Sequence, residues 1–155
     1  MLADESATNR LGAALAAGLQ PGGVLFLSGD LGTGKTTLAR GLLRALGYAG
    51  RVKSPSYALV ELYEVSRLNL YHFDFYRFKD RSEWLSSGFR DYFNEQSVCL
   101  VEWPERAAGL LAPPDLEITL EIAGDGRSAQ LSAQSSAGNS WRDATLQAWR
   151  EPPQR

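Results

Sequence analysis

Residues Val24 to Thr37 read VLFLSGDLGTGKTT, and how that stretch is parsed decides the fold. The four apolar residues Val24 to Leu27 suit a short buried strand. Gly29, Asp30, Leu31, Gly32, Thr33, Gly34, Lys35 and Thr36 follow at once and meet the pattern G-x-x-x-x-G-K-[ST] in full. Downstream, Thr37 to Leu46 puts Leu38, Leu42, Leu43 and Leu46 on one helical face. A strand, a glycine-rich turn and a helix N-terminus in that order make a cradle for phosphate. Successive backbone N–H groups can surround an anion when no side chain stands in the way, and the first N–H groups of the helix are unpaired. In that cradle Lys35 reaches the β and γ phosphates as a mobile charge, and the Thr36 hydroxyl is placed to meet Mg²⁺.

The bulk properties are those of an ordinary globular chain. Its 155 residues suit one domain, expected over residues 1–150 with a flexible tail at 151–155, and 44% of them are hydrophobic, enough for a real core. A formal net charge of -2 provides no general field for nucleic acid, so any RNA connection has to come through a local patch or a partner. Cys99 is the single cysteine, which excludes an internal disulfide, and its place within Val98 to Val101 marks it as a small core residue. One histidine and one cysteine make a zinc site a poor expectation. The N-terminus is acidic and its apolar stretches are broken by Arg10 and Gln20, unlike a secretory signal. No run approaches a membrane span, so the cytoplasm is the expected location.

Around the opening stretch the chain alternates helical and extended patterns. Asp4 to Leu19 has helical spacing, with a polar start, and ends at Pro21 and neighbouring glycines. Arg51 to Ser54 reads as a short strand. Ala58 to Tyr63 and Leu68 to Phe73 read as two strands of a hairpin separated by the polar Glu64 to Arg67. Asp80 to Asn94 reads as helix or two helical turns divided near Gly88, with Trp84, Leu85, Phe89, Tyr92 and Phe93 on the buried side. Ser97 to Val101 is the second buried strand, and Glu105 to Leu111 a short helix before Pro113. Asp115 to Ile122 alternates strictly, with Leu116, Ile118, Leu120 and Ile122 to one side, and Arg127 to Ala133 returns as a second hairpin. Trp141 to Trp149 reads as a terminal helix. The fold class expected is α/β, a three-layer P-loop NTPase-like domain with a mixed, mainly parallel central sheet and antiparallel hairpin additions.

Phosphoryl transfer also needs a carboxylate near Mg²⁺, and ligands of open sheets gather outside the C-terminal ends of the strands. Two acids compete for that place: Glu102, after Val98 to Val101, and Asp74, after Leu70 to Phe73. Asp74 has a second reading, as partner to Arg77 or Arg81. Trp103 either lines the site or packs on the loop helix. Ser54, Ser56 and Tyr57 flank Pro55 and could sense phosphate through their hydroxyls. His72, the lone histidine, fits either a buried or a site position. No guanine-reading N/T-K-x-D segment is evident.

Several of these segments together resemble the bacterial TsaE family, small P-loop ATPases needed for threonylcarbamoyladenosine formation in tRNA. The resemblance rests on Gly29 to Thr37, Arg40-Gly41, Leu46-Gly47, Val52-Lys-Ser-Pro-Ser-Tyr57, His72-Phe-Asp-Phe-Tyr-Arg77 and Val101-Glu-Trp-Pro104, spanning roughly Asp4 to Glu121. It implies an ATP and Mg²⁺ site in which Lys35, Thr36, Glu102 and Asp74 do the chemistry and Thr36 and Glu102 hold the metal. Nucleotide contacts are implied for Gly29 to Thr37, Ser56, Trp103, Thr8 near the adenine, and Arg127 on the second hairpin. His72, Asp74, Tyr76 and Arg77 would line the same face. It further implies work alongside TsaD-like and TsaB-like proteins, with tRNA reached through that complex. The chain departs from the usual pattern at Ser56 and Ala58, where threonine is common, at Phe75 and Phe78, where leucine is, and at Arg81 and Trp84, which replace acidic residues.

The reaction expected is Mg²⁺-dependent hydrolysis of ATP to ADP and phosphate, slow without partners because no arginine-finger motif is evident. Two other readings use the same loop: a small-molecule kinase, for which Arg77 and Arg81 are the only local lid arginines, and a nucleotide-controlled protein-binding module. Lys53, Arg77, Lys79 and Arg81 could form a local positive patch for RNA, although solvated surface charge explains them as well.

Overall fold

A computed structural model describes residues 1–53, 55, 57–65 and 67–151, so Ser54, Ser56, Ser66 and the tail beyond Glu151 lie outside the described residues. The order is α1 (Glu5–Leu15), β1 (Val24–Ser28), α2 (Lys35–Ala45), β2 (Val60–Val65), β3 (Leu68–Asp74), α3 (Arg81–Ser87), β4 (Ser97–Glu102), β5 (Leu116–Ala123), β6 (Gly126–Ala133) and α4 (Ser136–Arg150). Single 3-10 turns at Ala16–Gly18, Phe89–Tyr92 and Pro104–Ala107 complete it. Three helices begin at side chains that accept a hydrogen bond from the first turn: Asp4 from the Ala7 N–H, Asp80 from the Glu83 N–H and Ser135 from the Gly138 N–H.

The strands form one six-stranded sheet in the order β2-β3-β4-β1-β5-β6. β1 lies parallel between β4 and β5, β3 runs parallel to β4, and the hairpins β2–β3 and β5–β6 add an antiparallel strand at each edge. This is the mixed, mainly parallel α/β sheet with hairpin additions expected of a P-loop NTPase-like chain.

Period-two alternation sorts the strand side chains into two cores. Leu25, Leu27, Leu70, Val98 and Leu100 join Leu11 and Leu15 of α1, Leu38 and Leu42 of α2, and Trp141 of α4. Phe26, Phe73, Cys99 and Val101 point the other way, into a cluster with Phe75, Phe78, Trp84 and Phe89. β4 is buried along its whole length because both faces are covered.

Five details differ from the sequence reading. Arg51 to Lys53 forms no strand; the Lys53 N–H donates to the Tyr63 hydroxyl at 3.4 Å instead of to a ladder. Ile122 is 63% exposed although Leu120 is fully buried, because Ile122 pairs with Arg127 at the hairpin tip, where the sheet outruns its cover. Leu85 is exposed as well, since α3 has only two turns and Trp84 takes its buried side. The helix expected over Glu105 to Leu111 shrinks to the turn Pro104–Ala107, and the terminal helix begins earlier than expected, at Ser136, where Ser135 caps it.

Candidate active site

Three parallel strands deliver the site. β1 ends at Ser28 and feeds the loop, while β3 and β4 end in register at Asp74 and Glu102. Leu70, His72 and Asp74 share one face of β3, and Val98, Leu100 and Glu102 share the same face of β4, the one that carries α2. Alternation therefore brings both carboxylates to the helix side, at the strand ends beside the loop.

The loop is built for close approach. Gly29 has φ 147°, and a Cβ there would lie 2.5 Å from the Leu120 carbonyl oxygen. The Thr33 hydroxyl donates to the Asp30 carbonyl at 2.8 Å and draws the loop together. Gly34, at the N-cap of α2, is left-handed with φ 104°, and no side chain caps the helix. The first N–H groups of α2 are thus left for an external acceptor, in a place where the helix dipole favours an anion.

Lys35 is 6% exposed and is folded over the loop, donating to the Gly29 carbonyl and, at 3.2 Å, to the Asp30 carbonyl. Its ammonium also lies 4.0 Å above the centre of the Trp103 ring. Burial pushes the Lys35 ammonium below the usual lysine value, while Glu102, Asp74, Glu105 and Asp30 pull it back up. Trp103 itself is left-handed, with φ 56° just before Pro104, a conformation that costs a residue with a Cβ about 1–2 kcal/mol. Tyr76 packs on Trp103 with ring centres 5.0 Å apart, and the Arg106 guanidinium stands 5.2 Å over Tyr76. Trp103 thus borders the loop cleft and touches Lys35, the first residue of α2.

Two clefts flank the loop. One of about 310 Å³ is lined by Lys35, Thr36, Thr37, Asp74, Glu102 and Trp103, among others. The second, of about 220 Å³, lies between the loop, the start of α1 and the β5–β6 hairpin, and includes Thr8, Gly34 and Arg127. Thr8 is buried against Gly34, and Arg127 donates to the Gly32 carbonyl at 3.0 Å. A larger cleft of about 670 Å³, near Arg81, Trp84 and Leu110, contains no loop residue and none of these acids. The site is located by its chemistry rather than by size. Arg77 stacks on Tyr57 at 4.3 Å, and neither Arg77 nor Arg81 lines a loop cleft among the described residues, which removes the local support for a kinase lid. The Ser56 contact falls outside the described residues.

The donors suit Mg²⁺. Among the described residues no group of three or more histidines, cysteines or acids could cage a metal. A hydroxyl and two carboxylates in one cleft match an ion that keeps waters and shares phosphate oxygens rather than one held wholly by protein.

Sequence reasoning left His72 undecided and passed over Arg106. His72 is fully buried, and its Nε2 lies 2.5 Å from Glu102 Oε2. The signal was its period-two spacing from Asp74, which puts both on one face of β3. Arg106 carried no such signal, because its place follows from the turn at Pro104.

A Walker-type loop between a central strand and a helix, facing two acids at parallel strand ends, defines a P-loop nucleoside triphosphatase. The family model described as "Threonylcarbamoyl adenosine biosynthesis protein TsaE" matches residues 2–130, and the chain belongs to the TsaE family. A tRNA threonylcarbamoyladenosine biosynthesis protein TsaE from Haemophilus influenzae is 46% identical over 115 residues, covering 74% of this chain and 73% of that one. Its Bacillus subtilis namesake is 44% identical over 110 residues, covering 71% and 68%. The crystal structure of Bacillus subtilis YdiB superimposes with a TM-score of 0.75 at 33% identity, covering 95% of this chain and 90% of that one. Membership makes this chain a P-loop ATP hydrolase that works with Mg²⁺ and ATP.

Proposed function

We propose that this chain hydrolyses Mg²⁺-ATP in support of threonylcarbamoyladenosine formation in tRNA, acting with TsaD-like and TsaB-like proteins and meeting tRNA through that complex. One observation carries the reading: Lys35, Thr36, Asp74 and Glu102 line a single cleft at the open N-terminus of α2.

In this reading the loop N–H groups and those of the first turn of α2 bind the phosphate tail, and Lys35 leaves the Gly29 and Asp30 carbonyls to neutralise the β and γ oxygens. Thr36 and Glu102 would hold Mg²⁺, and Asp74 lines the same cleft. When bound, the ion neutralises phosphate charge. Thr8 and Arg127 border the base end of the nucleotide, and Trp103 covers the loop lysine. Water attacks the γ phosphorus and the bond to the bridging oxygen breaks, leaving ADP and phosphate. His72 is buried against Glu102, so no imidazole is at hand as a base. The rate then rests on positioning and charge stabilisation.

No arginine lines the cleft around Lys35 among the described residues, which supports slow turnover by the chain alone. The test measures ATP hydrolysis with and without the TsaD-like and TsaB-like partners, beside Lys35→Ala and Glu102→Ala. Slow turnover that the partners raise, and that both substitutions lower by about 10²-fold or more, is the expected result. Fast turnover by the purified monomer would count against the partner requirement, and unchanged binding and turnover in both variants would count against the site.

The run Lys35–Trp103–Tyr76–Arg106 links the loop lysine to an exposed guanidinium, and it favours a companion role for nucleotide state in docking. Partner affinity should differ between ATP, ADP and a non-hydrolysable analogue; equal affinity in all three would sink that role.

A further inference from the structure

His72 lines neither of the loop clefts, yet it is the group in closest polar contact with Glu102. The imidazole is fully buried under α2, in the row Leu70–His72–Asp74, and the Glu102 side chain is 3% exposed. Its Nδ1 has no hydrogen-bond partner among the described residues. A buried N–H left unpaired is costly, whereas an unpaired lone pair costs less, so the ring carries its hydrogen on Nε2 and donates it to Glu102 Oε2. A buried carboxylate without such a donor would be free to rotate.

We propose that His72 is a positioning residue for the metal-facing carboxylate: its Nε2–H holds Glu102 Oε2 and leaves Oε1 for the ion. The inference rests on the proposed Mg²⁺ role of Glu102 and adds the group that fixes it. His72 touches neither nucleotide nor metal, and its effect passes entirely through the rotamer of one side chain. Carboxylates that bind metals are themselves commonly hydrogen-bonded, and losing such a support costs about 10–100-fold in metal affinity.

The experiment uses the full chain with ADP and reads Mn²⁺ binding by the loss of free-ion EPR signal, and ADP binding calorimetrically in EDTA. His72→Leu keeps the site apolar and filled but removes the donor. His72→Gln restores a side-chain N–H that reaches Glu102. Expected for His72→Leu is Mn²⁺ binding weakened about tenfold or more with ADP affinity in EDTA within about twofold, and His72→Gln returning most of the metal affinity. Should His72→Leu not fold, His72→Asn, whose amide falls short of Glu102, takes its place with the same expectation. Unchanged Mn²⁺ affinity in the donor-free variant overturns the proposal, as does an equal fall in both affinities, which would mark a general packing role. Glu102→Gln separates the two readings. If it weakens Mn²⁺ binding while the donor-free variant does not, only the role of His72 fails. If Glu102→Gln leaves Mn²⁺ binding intact, the metal site itself fails.

Discussion

On the side of the sheet that carries α1, α2 and α4, the inward rows of β3 and β4 run Leu70–His72–Asp74 and Val98–Leu100–Glu102, whereas on the other side they run Tyr71–Phe73, continuing to Phe75, and Cys99–Val101. The first pair turns polar at the C-terminal strand ends; the second stays apolar throughout. Cover explains the difference. Helices of 11 and 15 residues shield the first face, and the N-terminus of α2 brings a positive end to meet the acids. Among the described residues the second face has only the seven-residue α3 and two 3-10 turns, so rings fill the volume that helices would otherwise occupy. Chemistry and packing are thus divided between opposite sides of the same strands.

Truncation on the aromatic side should cost most. Phe73 is fully buried and packs against Phe75, Phe89, Tyr92 and Phe93. Phe73→Ala is expected to lose about 3–5 kcal/mol in urea unfolding, with nucleotide affinity kept wherever the variant is folded. Lys35→Ala should do the reverse. Losing the loop ammonium should lower turnover about 10²–10³-fold. Stability should be retained or raised, because burial opposes that charge in the folded state. If folded Phe73→Ala cannot bind nucleotide, or if Lys35→Ala unfolds as readily as Phe73→Ala, the division between the faces is wrong.

Much of this was legible in the chain. The loop, both hairpins and the buried β4 follow from local pattern, because a strand covered on both sides must be apolar at every position and a phosphate cradle needs its glycines in fixed places. Glu102 and Asp74 are singled out by the rule that ligands gather at strand ends. Their register across β3 and β4 is not, since pairing between strands so far apart in sequence leaves no local trace. The same holds for His72 against Glu102. Leu85 and Ile122 misled because alternation marks a face without saying how far its cover extends.

Between the faces in size of effect stands the crossing of α1 and α2. A Cβ at Gly41 would lie 2.2 Å from the Asn9 carbonyl oxygen, and one at Gly12 would lie 2.1 Å from the Leu38 carbonyl oxygen. The helices therefore meet backbone to backbone, and neither contact can be relieved by turning a side chain. Gly41→Ala should cost about 1–3 kcal/mol. Thr8, one turn before Gly12 on α1, lies against Gly34 of the loop, so the same substitution should also weaken nucleotide binding. Calorimetry on the folded variant checks this; a stability loss with unaltered nucleotide affinity would detach α1 from the site.

The effect that is smallest at neutral pH concerns a proton on the apolar face. Burial pushes the Cys99 thiol from its ordinary 9.0 up to about 12. As pH rises past 9.0 the unfolded chain gives up this proton while the folded chain keeps it, so the unfolded state gains. The stability that Cys99 contributes is complete below pH 9.0 and drains away between there and about pH 12. The slope is about 1.4 kcal/mol per pH unit. Cys99→Ala lacks this proton, so its stability should fall less steeply over that interval, and the gap between the two proteins should narrow or reverse by that slope. Urea midpoints at successive pH values above 9 decide it. Parallel curves would mean that water already reaches the thiol, and that the aromatic side is not the sealed packing its rings imply.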